Sequence, residues 1–333
     1  MNAVIYLDQN TLSDLRERRL VANQGENMRL LKHVLISNSV QVIYSHVNLS
    51  EINQISVDKY KVEHIHLLNE LHAKYIEPLS KLHDEREPFQ VWSDYLQNEI
   101  DNVNTGISSL AEVSELSTRK LSGLPIELSF DEINTKLKDS LKSMLDSCAE
   151  ELDGIDIDEL EEPIRSYFIN VKSQLPELLA ESQQMESLPV ADNQELGPRV
   201  FRGCSELQKA NFENLPSNEV VDAIEAIFEV ENEGFNWSDY FEESPQNRVA
   251  RAYNLMNWAG YYADDFDKVK KNNDRFRASN NDMQHTVMGL GASFLISSDN
   301  NMLMKAKASY KYVGSPTIAC SPNEFLKDYC VFK

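Results

Sequence analysis

A chain of 333 residues, 41% hydrophobic and 26% charged, has material for one large domain or two modest ones, each with its own core. No apolar run approaches the ~20 residues of a membrane-spanning helix, and the apolar N-terminal run ends in Asp8 without a basic lead, which predicts neither anchor nor secretory leader. The four cysteines (Cys148, Cys204, Cys320, Cys330) form no CxxC pair, which argues against zinc and predicts reduced thiols in a cytoplasmic protein.

The net charge of −22 at first argues against a nucleic-acid partner, because a polyanion is repelled by like charge. The charge is unevenly placed, however. Residues 84–245 carry 37 acidic against 11 basic side chains, a balance of −26, whereas the rest of the chain carries 17 against 21 and is +4. The ends and the middle are different kinds of surface.

In chain order, Ala3-Val4-Ile5-Tyr6-Leu7 is an apolar, β-prone run stopped by Asp8-Gln-Asn10, after which Leu12, Leu15 and Leu20 take up helical spacing. A helix-like segment from Met28 to Ile36 leads to a second run, Val40-Gln-Val-Ile-Tyr44, and another helix begins near Leu49. This β-α-β-α grammar predicts a parallel sheet covered by helices. From residue 57 to 246 it gives way to long polar segments with helical apolar spacing, such as Ile65-Leu68-Leu71-Tyr75 and Leu137-Leu141-Met144-Leu145, punctuated by prolines. The expected organisation is therefore a first α/β part over 1–56, an acidic, all-helical insertion over 57–246, and a second α/β part over 247–333. In the last part, an aromatic-rich helix (248–266) and a basic stretch precede a helix starting near Asn281. A strand at Ala292–Ile296, a helix at Met302–Ala308, a strand at Thr317–Cys320 and a closing helix opened by Ser321-Pro322 follow.

Four acids share one expected address. Asp8 and Asp299 each end a strand and begin a helix, Glu51 lies just inside the helix after the second strand, and Asp282 falls in the first turn of the helix before the third. Parallel α/β sheets gather such junctions on one edge, where their ligands bind. Each acid taken alone also reads as a helix cap, and Asn48-Leu-Ser-Glu51 and Ser279-Asn-Asn-Asp282 have capping-box spacing. Together, four crowded carboxylates need a neutralising cation. Oxygen-only ligands suit Mg²⁺ or Mn²⁺. A pair of such ions, about 3.5–4 Å apart, activates water and stabilises the leaving oxygen of an in-line displacement.

Around these acids, Asn10 and Ser298 read as contacts to water or phosphate, or as turn formers, the turn reading being favoured for Asn10. His285, three residues after Asp282 on the same helix face, either orients that carboxylate or a phosphate, or packs under the sheet edge. His46 reads as structural. The basic stretch with Lys270, Lys271, Arg275 and Arg277 runs up to Asp282 and suits a phosphate-binding rim. Asp153-Gly-Ile-Asp156-Ile-Asp158 has acids and glycine in the wrong order for an EF-hand loop.

Val4-Ile-Tyr-Leu-Asp8-Gln-Asn10, Tyr44-Ser-His-Val-Asn-Leu-Ser-Glu51-Ile52, Asn281-Asp282-Met-Gln-His-Thr, Leu295-Ile-Ser-Ser-Asp299 and Ser321-Pro-Asn-Glu-Phe-Leu326, in that order, resemble a PIN-like domain. The likeness covers the two ends of the chain and leaves the interior unmatched. It implies a Rossmann-like α/β/α sandwich with a parallel central sheet, interrupted here by the helical insertion. It also implies a Mg²⁺- or Mn²⁺-dependent nuclease acting on RNA ahead of single-stranded DNA. Asp8, Asp282 and Asp299 would be metal ligands, and Glu51 a ligand or an acid acting through water. Other classes lack their residues: no second Asp two positions after Asp8 for a phosphatase, no Asp-x-Asp at Asp299, no Gly-x-Gly-x-x-Gly, Walker or Gly-x-Ser-x-Gly motif. The rival expectation is a PIN-like scaffold or protein-binding module. Its acidic insertion would dock a basic partner or inhibitor, and a nuclease held in check that way suits a toxin or anti-phage effector.

Overall fold

The computed structural model describes residues 3–16, 25–37, 40–77, 83–104, 107–157, 160–162, 164–184, 197–210, 212, 215–231, 243–264 and 273–329. Two of the apolar runs become strands β1 (Ala3–Leu7) and β2 (Val40–Tyr44), both buried over their last three residues. Near the C-terminus β5 (Phe294–Ile296) and β6 (Ile318–Cys320) take the positions their apolar runs predict. Two further strands, β3 (Lys74–Ile76) and β4 (His83–Asp84), lie within the stretch expected to be wholly helical. The helix α4 (Asp58–Glu70) stops there because His72 turns the chain with φ +48°. Tyr75 is therefore a strand residue, outside the helical series its spacing suggested.

The six strands run in the order β4-β3-β2-β1-β5-β6. All neighbours are parallel except β3 and β4, which pair antiparallel, so the sheet is mixed where an all-parallel one was expected. Strands of two and three residues carry no readable alternation, which is why the sequence does not announce them. Helices α1 (Gln9–Leu15) and α2 (Glu26–Ile36) connect β1 to β2, and α3 (His46–Asn53) and α4 connect β2 to β3. The chain thus leaves β1 in one direction for β2 and β3, while β5 and β6 build on its other side. In open α/β sheets a ligand crevice forms at the carboxyl ends of strands where the order reverses. That point here lies between β1 and β5, and Asp8 and Asp299 follow those two strands.

The chain divides into two compact units, residues 1–94 with 198–333, and residues 95–197. The acidic stretch expected as one insertion over 57–246 is thus shared between them. The first unit holds the sheet, together with α9 (Pro198–Arg202), α10 (Ser205–Lys209), α11 (Val220–Glu231), α12 (Pro245–Ala259), α13 (Asn273–Gly289), α14 (Asn300–Tyr312) and the short α15 (Pro322–Glu324). Its core under the sheet joins Tyr6, Ile43, Met288, Leu295, Met302 and Tyr310. A second apolar cluster seats α11 on α12 through Val220, Ile224, Ala252 and Met256. Gly289 is required where α13 meets α14, because a Cβ there would stand 2.8 Å from the Tyr310 hydroxyl oxygen. The second unit holds the helices α6 (Ile107–Leu121), α7 (Phe130–Asp153) and α8 (Ile164–Gln184), α5 (Pro88–Asn104) containing the boundary. Its α7 opens with a capping box between Ser129 and Glu132 and packs against both α6 and α8. Among the described residues no helix is long and apolar enough to cross a membrane.

Candidate active site

Asp8 is 2% exposed and caps α1, its Oδ1 accepting from the Thr11 N–H at 2.8 Å while its Oδ2 accepts from the Ser297 hydroxyl at 2.7 Å. Ser297 in turn accepts from the Asp299 N–H (2.9 Å), and Asp299 Oδ1 caps α14 by accepting from the Met302 N–H (2.9 Å). One serine therefore ties together the two acids that follow β1 and β5. The helix-cap reading of both acids holds as far as it goes, and it leaves Asp299 Oδ2 uncommitted among the described residues. Burial pushes the Asp8 carboxyl above the usual range, against the hydrogen bonds from Thr11 and Ser297.

Asp282 lies in the middle of α13, which begins at Asn273. It is not in a first turn, because the Asn- and Asp-rich segment before it is helical without any apolar periodicity to mark it. The capping box expected of Ser279 and Asp282 is absent, since the Ser279 hydroxyl donates to Asp264. Burial, then the charges of Asp264, Asp299 and Asp8, hold the Asp282 carboxyl well above its ordinary pKa, opposed by Lys305. Asp282 thus feels the charges of Asp299 and Asp8, and most of all that of Asp264.

Asp264 and Lys305 were not singled out from the sequence. Lys305 sits on the inward face of α14 with its side chain 0% exposed. Its ammonium donates to Asp264 Oδ1 (3.2 Å) and Asn257 Oδ1 (3.3 Å) and stands 4.5 Å from the Tyr253 ring centre. Asn257 also donates to Asp264 Oδ2 (3.0 Å) and to Ser279 Oγ (3.1 Å), and accepts from the Asp264 N–H (2.8 Å). A lysine six residues after Asp299 on an apolar helix face was the one signal on offer. Tyr253, 0% exposed, has a hydroxyl without a hydrogen-bond partner among the described residues. Burial and the charges of Asp282, Asp264 and Asp299 push its phenol well up, so it faces the same acids.

Glu51 is held differently. Its Oε1 accepts from the Asn281 amide (3.0 Å), and its Oε2 lies 2.7 Å from His285 Nε2. His285 is 1% exposed and places Nδ1 2.8 Å from the Tyr6 hydroxyl, which is 2.8 Å from Ser45 Oγ. The Glu51 carboxylate accepts from Nε2–H, so in the neutral imidazole Nδ1 accepts from the Tyr6 hydroxyl and Tyr6 accepts from Ser45, whose Oγ also accepts from the Val47 N–H. His285 is thus both packed under the sheet edge and the group that orients a carboxylate, that of Glu51.

Of the remaining expected residues, Asn10 is exposed within α1, so it is a helix residue where a turn was favoured, and Ser298 is exposed beside the buried Ser297. Arg277 is exposed on α13. Lys270, Lys271 and the side chain of Arg275 lie outside the described residues.

Among the described residues no three acidic, histidine or cysteine side chains stand close enough to grip an ion as they are. The donor chemistry nonetheless suits a hard divalent cation: oxygen atoms only, a carboxylate at Asp282 with no hydrogen-bond partner among the described residues, one uncommitted oxygen on Asp299, and the unpartnered Tyr253 hydroxyl. Compared with known proteins, the chain matches no family model, no curated protein and no solved structure.

Proposed function

We propose that this chain is a divalent-metal-dependent phosphodiesterase, a nuclease of PIN-like architecture acting on RNA ahead of single-stranded DNA. The observation that carries the reading is that Asp8 and Asp299, at the sheet's reversal point, are tied through Ser297, and that burial, then the charges of Asp264, Asp299 and Asp8, raises the Asp282 carboxyl. Such a group either keeps protons or holds a cation. Asp282 and Asp299 have the uncommitted oxygens to hold Mg²⁺ or Mn²⁺, and Asp8, fixed by Thr11 and Ser297, would be the third ligand. A bound ion supplies water activation and neutralises charge at the phosphate. Glu51, steadied by His285 and Asn281, is placed to accept a proton beside the acids rather than to bind the ion. Arg277 on the helix carrying Asp282, together with Lys270, Lys271 and Arg275, would meet the phosphate backbone, with Asn10 and Ser298 at the exposed rim.

The balance of −26 over residues 84–245 favours one addition to this reading: that stretch repels nucleic acid and suits a basic protein partner or inhibitor, as in a toxin or anti-phage effector held in check. The same charge is what a catalytically silent PIN-like scaffold would use.

The test is cleavage of single-stranded RNA and DNA by the purified chain with Mn²⁺, against Asp8→Asn. Asparagine caps a helix as well as aspartate does, so the variant keeps the fold and loses the charge. Cleavage that falls by at least roughly 100-fold supports the reading. Cleavage unchanged in the variant, or none in either protein, supports the scaffold.

A further inference from the structure

We infer that Lys305 is a built-in cation of the acidic cluster, standing in for a second metal ion, so that the chain holds one divalent ion in place of the two expected from its sequence. The inference rests on the metal-dependent reading above and refines it.

A fully buried lysine is costly unless its charge is matched by an acid and its three protons meet acceptors. Lys305 meets both conditions. The Asn257 amide is oriented by the Asp264 N–H, which can only donate, so it is the carbonyl oxygen of Asn257 that faces Lys305 Nζ. Asp264 Oδ1 supplies a second acceptor and the Tyr253 ring face a third, attractive one. Each of these three neighbours of the nitrogen is an acceptor, as an ammonium requires. With a side chain 0% exposed, Lys305 is also out of reach of any substrate, so its charge acts on the cluster alone.

The charges then decide the count. Asp8, Asp264, Asp282 and Asp299 bring four negative charges. With Lys305 in place, one divalent ion leaves a single negative charge uncompensated, and a second ion would make the buried cluster positive. Asp264, both of whose oxygens are taken by Lys305, Asn257 and Ser279, is withdrawn from coordination. The remaining uncommitted donors are Asp282, Asp299 Oδ2 and the buried Tyr253 hydroxyl, which has no partner among the described residues. Drawn in from their present positions around one ion completed by water, they would supply its protein ligands.

The experiment counts Mn²⁺ on the purified full chain by isothermal titration calorimetry, with free Mn²⁺ read by electron paramagnetic resonance. Wild type is expected to bind one ion per chain. Lys305→Gln, which keeps a hydrogen-bond donor toward Asp264 and removes the charge, is expected to bind two, or to bind the first at least about tenfold more tightly. Two ions on the wild type, or one ion with unchanged affinity in Lys305→Gln, overturns the inference and leaves the nuclease reading standing. No ion on the wild type overturns both. Should Lys305→Gln fail to fold, the wild-type count decides alone.

Discussion

Glu51 Oε2 and His285 Nε2 stand 2.7 Å apart although 234 positions separate them, one residue from each end of the chain. The contact ends a buried hydrogen-bond chain that runs through Tyr6 to Ser45, and so joins two strands to the helix that bears Asp282. Replacing His285 by Ala would leave Glu51 with Asn281 alone and the Tyr6 hydroxyl with Ser45 alone.

If Glu51 takes up a proton during cleavage, His285→Ala lowers kcat by roughly 10–100-fold with little change in KM, and the acidic limb of the kcat–pH profile moves. Gln at this position restores a donor toward Glu51 and part of the rate. A variant whose loss tracks its fraction unfolded, with an unmoved pH profile, gives His285 a purely structural role.

Metal binding is linked to protons through Asp8 and Asp282. Both carboxyls are raised in the fold, chiefly by burial. A raised acid contributes stability that is fully present below the unfolded value and is lost as pH rises through the folded one. The metal-free chain should therefore lose stability as pH climbs through the range above ordinary carboxylates. A cation that replaces the protons restores it. The stabilisation by Mn²⁺, read as a rise in Tm, is expected to be larger near about pH 8 than near about pH 5.5, and amounts to about 2.7 kcal/mol at a hundredfold excess over Kd. Asp282→Asn should raise the metal-free Tm at the higher pH by roughly 1–3 °C and abolish the Mn²⁺ effect. Equal shifts at both pH values contradict the linkage.

His64 gives the opposite sign. Burial lowers its pKa from 6.5 to about 4. Its Nδ1–H donates to the Tyr60 carbonyl at 2.7 Å, which leaves Nε2 to accept from the Ser13 hydroxyl at 3.0 Å. A histidine held neutral contributes stability that is present above the unfolded pKa and is lost as pH falls through the folded one. Between those limits it should cost the wild type up to about 3 kcal/mol that His64→Gln does not lose. Urea unfolding of both proteins across that range reads the difference, and parallel curves for the two would refute it.

How far the sequence speaks for this fold depends on the residue. Val4–Leu7, Val40–Tyr44 and Leu295–Ile296 are runs that end in buried residues and are bounded by polar turns, so the strands and the acids after them are legible. Lys74–Ile76 and His83–Asp84 are too short to show a period, and their pairing comes from the sheet they join. Asp264 is invisible for another reason. It follows a helix closed by Gly260 in the left-handed conformation, at φ +96°, with no strand before it. Only the fold brings Asn257, Ser279 and Lys305 around it. Buried counter-charges of this kind are tertiary facts, and a linear reading sees Lys305 as one more surface lysine.

The most direct measurement of the central claim is anomalous scattering at the manganese edge from crystals of the chain soaked in Mn²⁺. The account predicts a peak among the carboxylates of Asp8, Asp282 and Asp299, lost in Asp282→Asn crystals. Carboxylates left without a peak at saturating Mn²⁺, or a peak remote from all three, would contradict it.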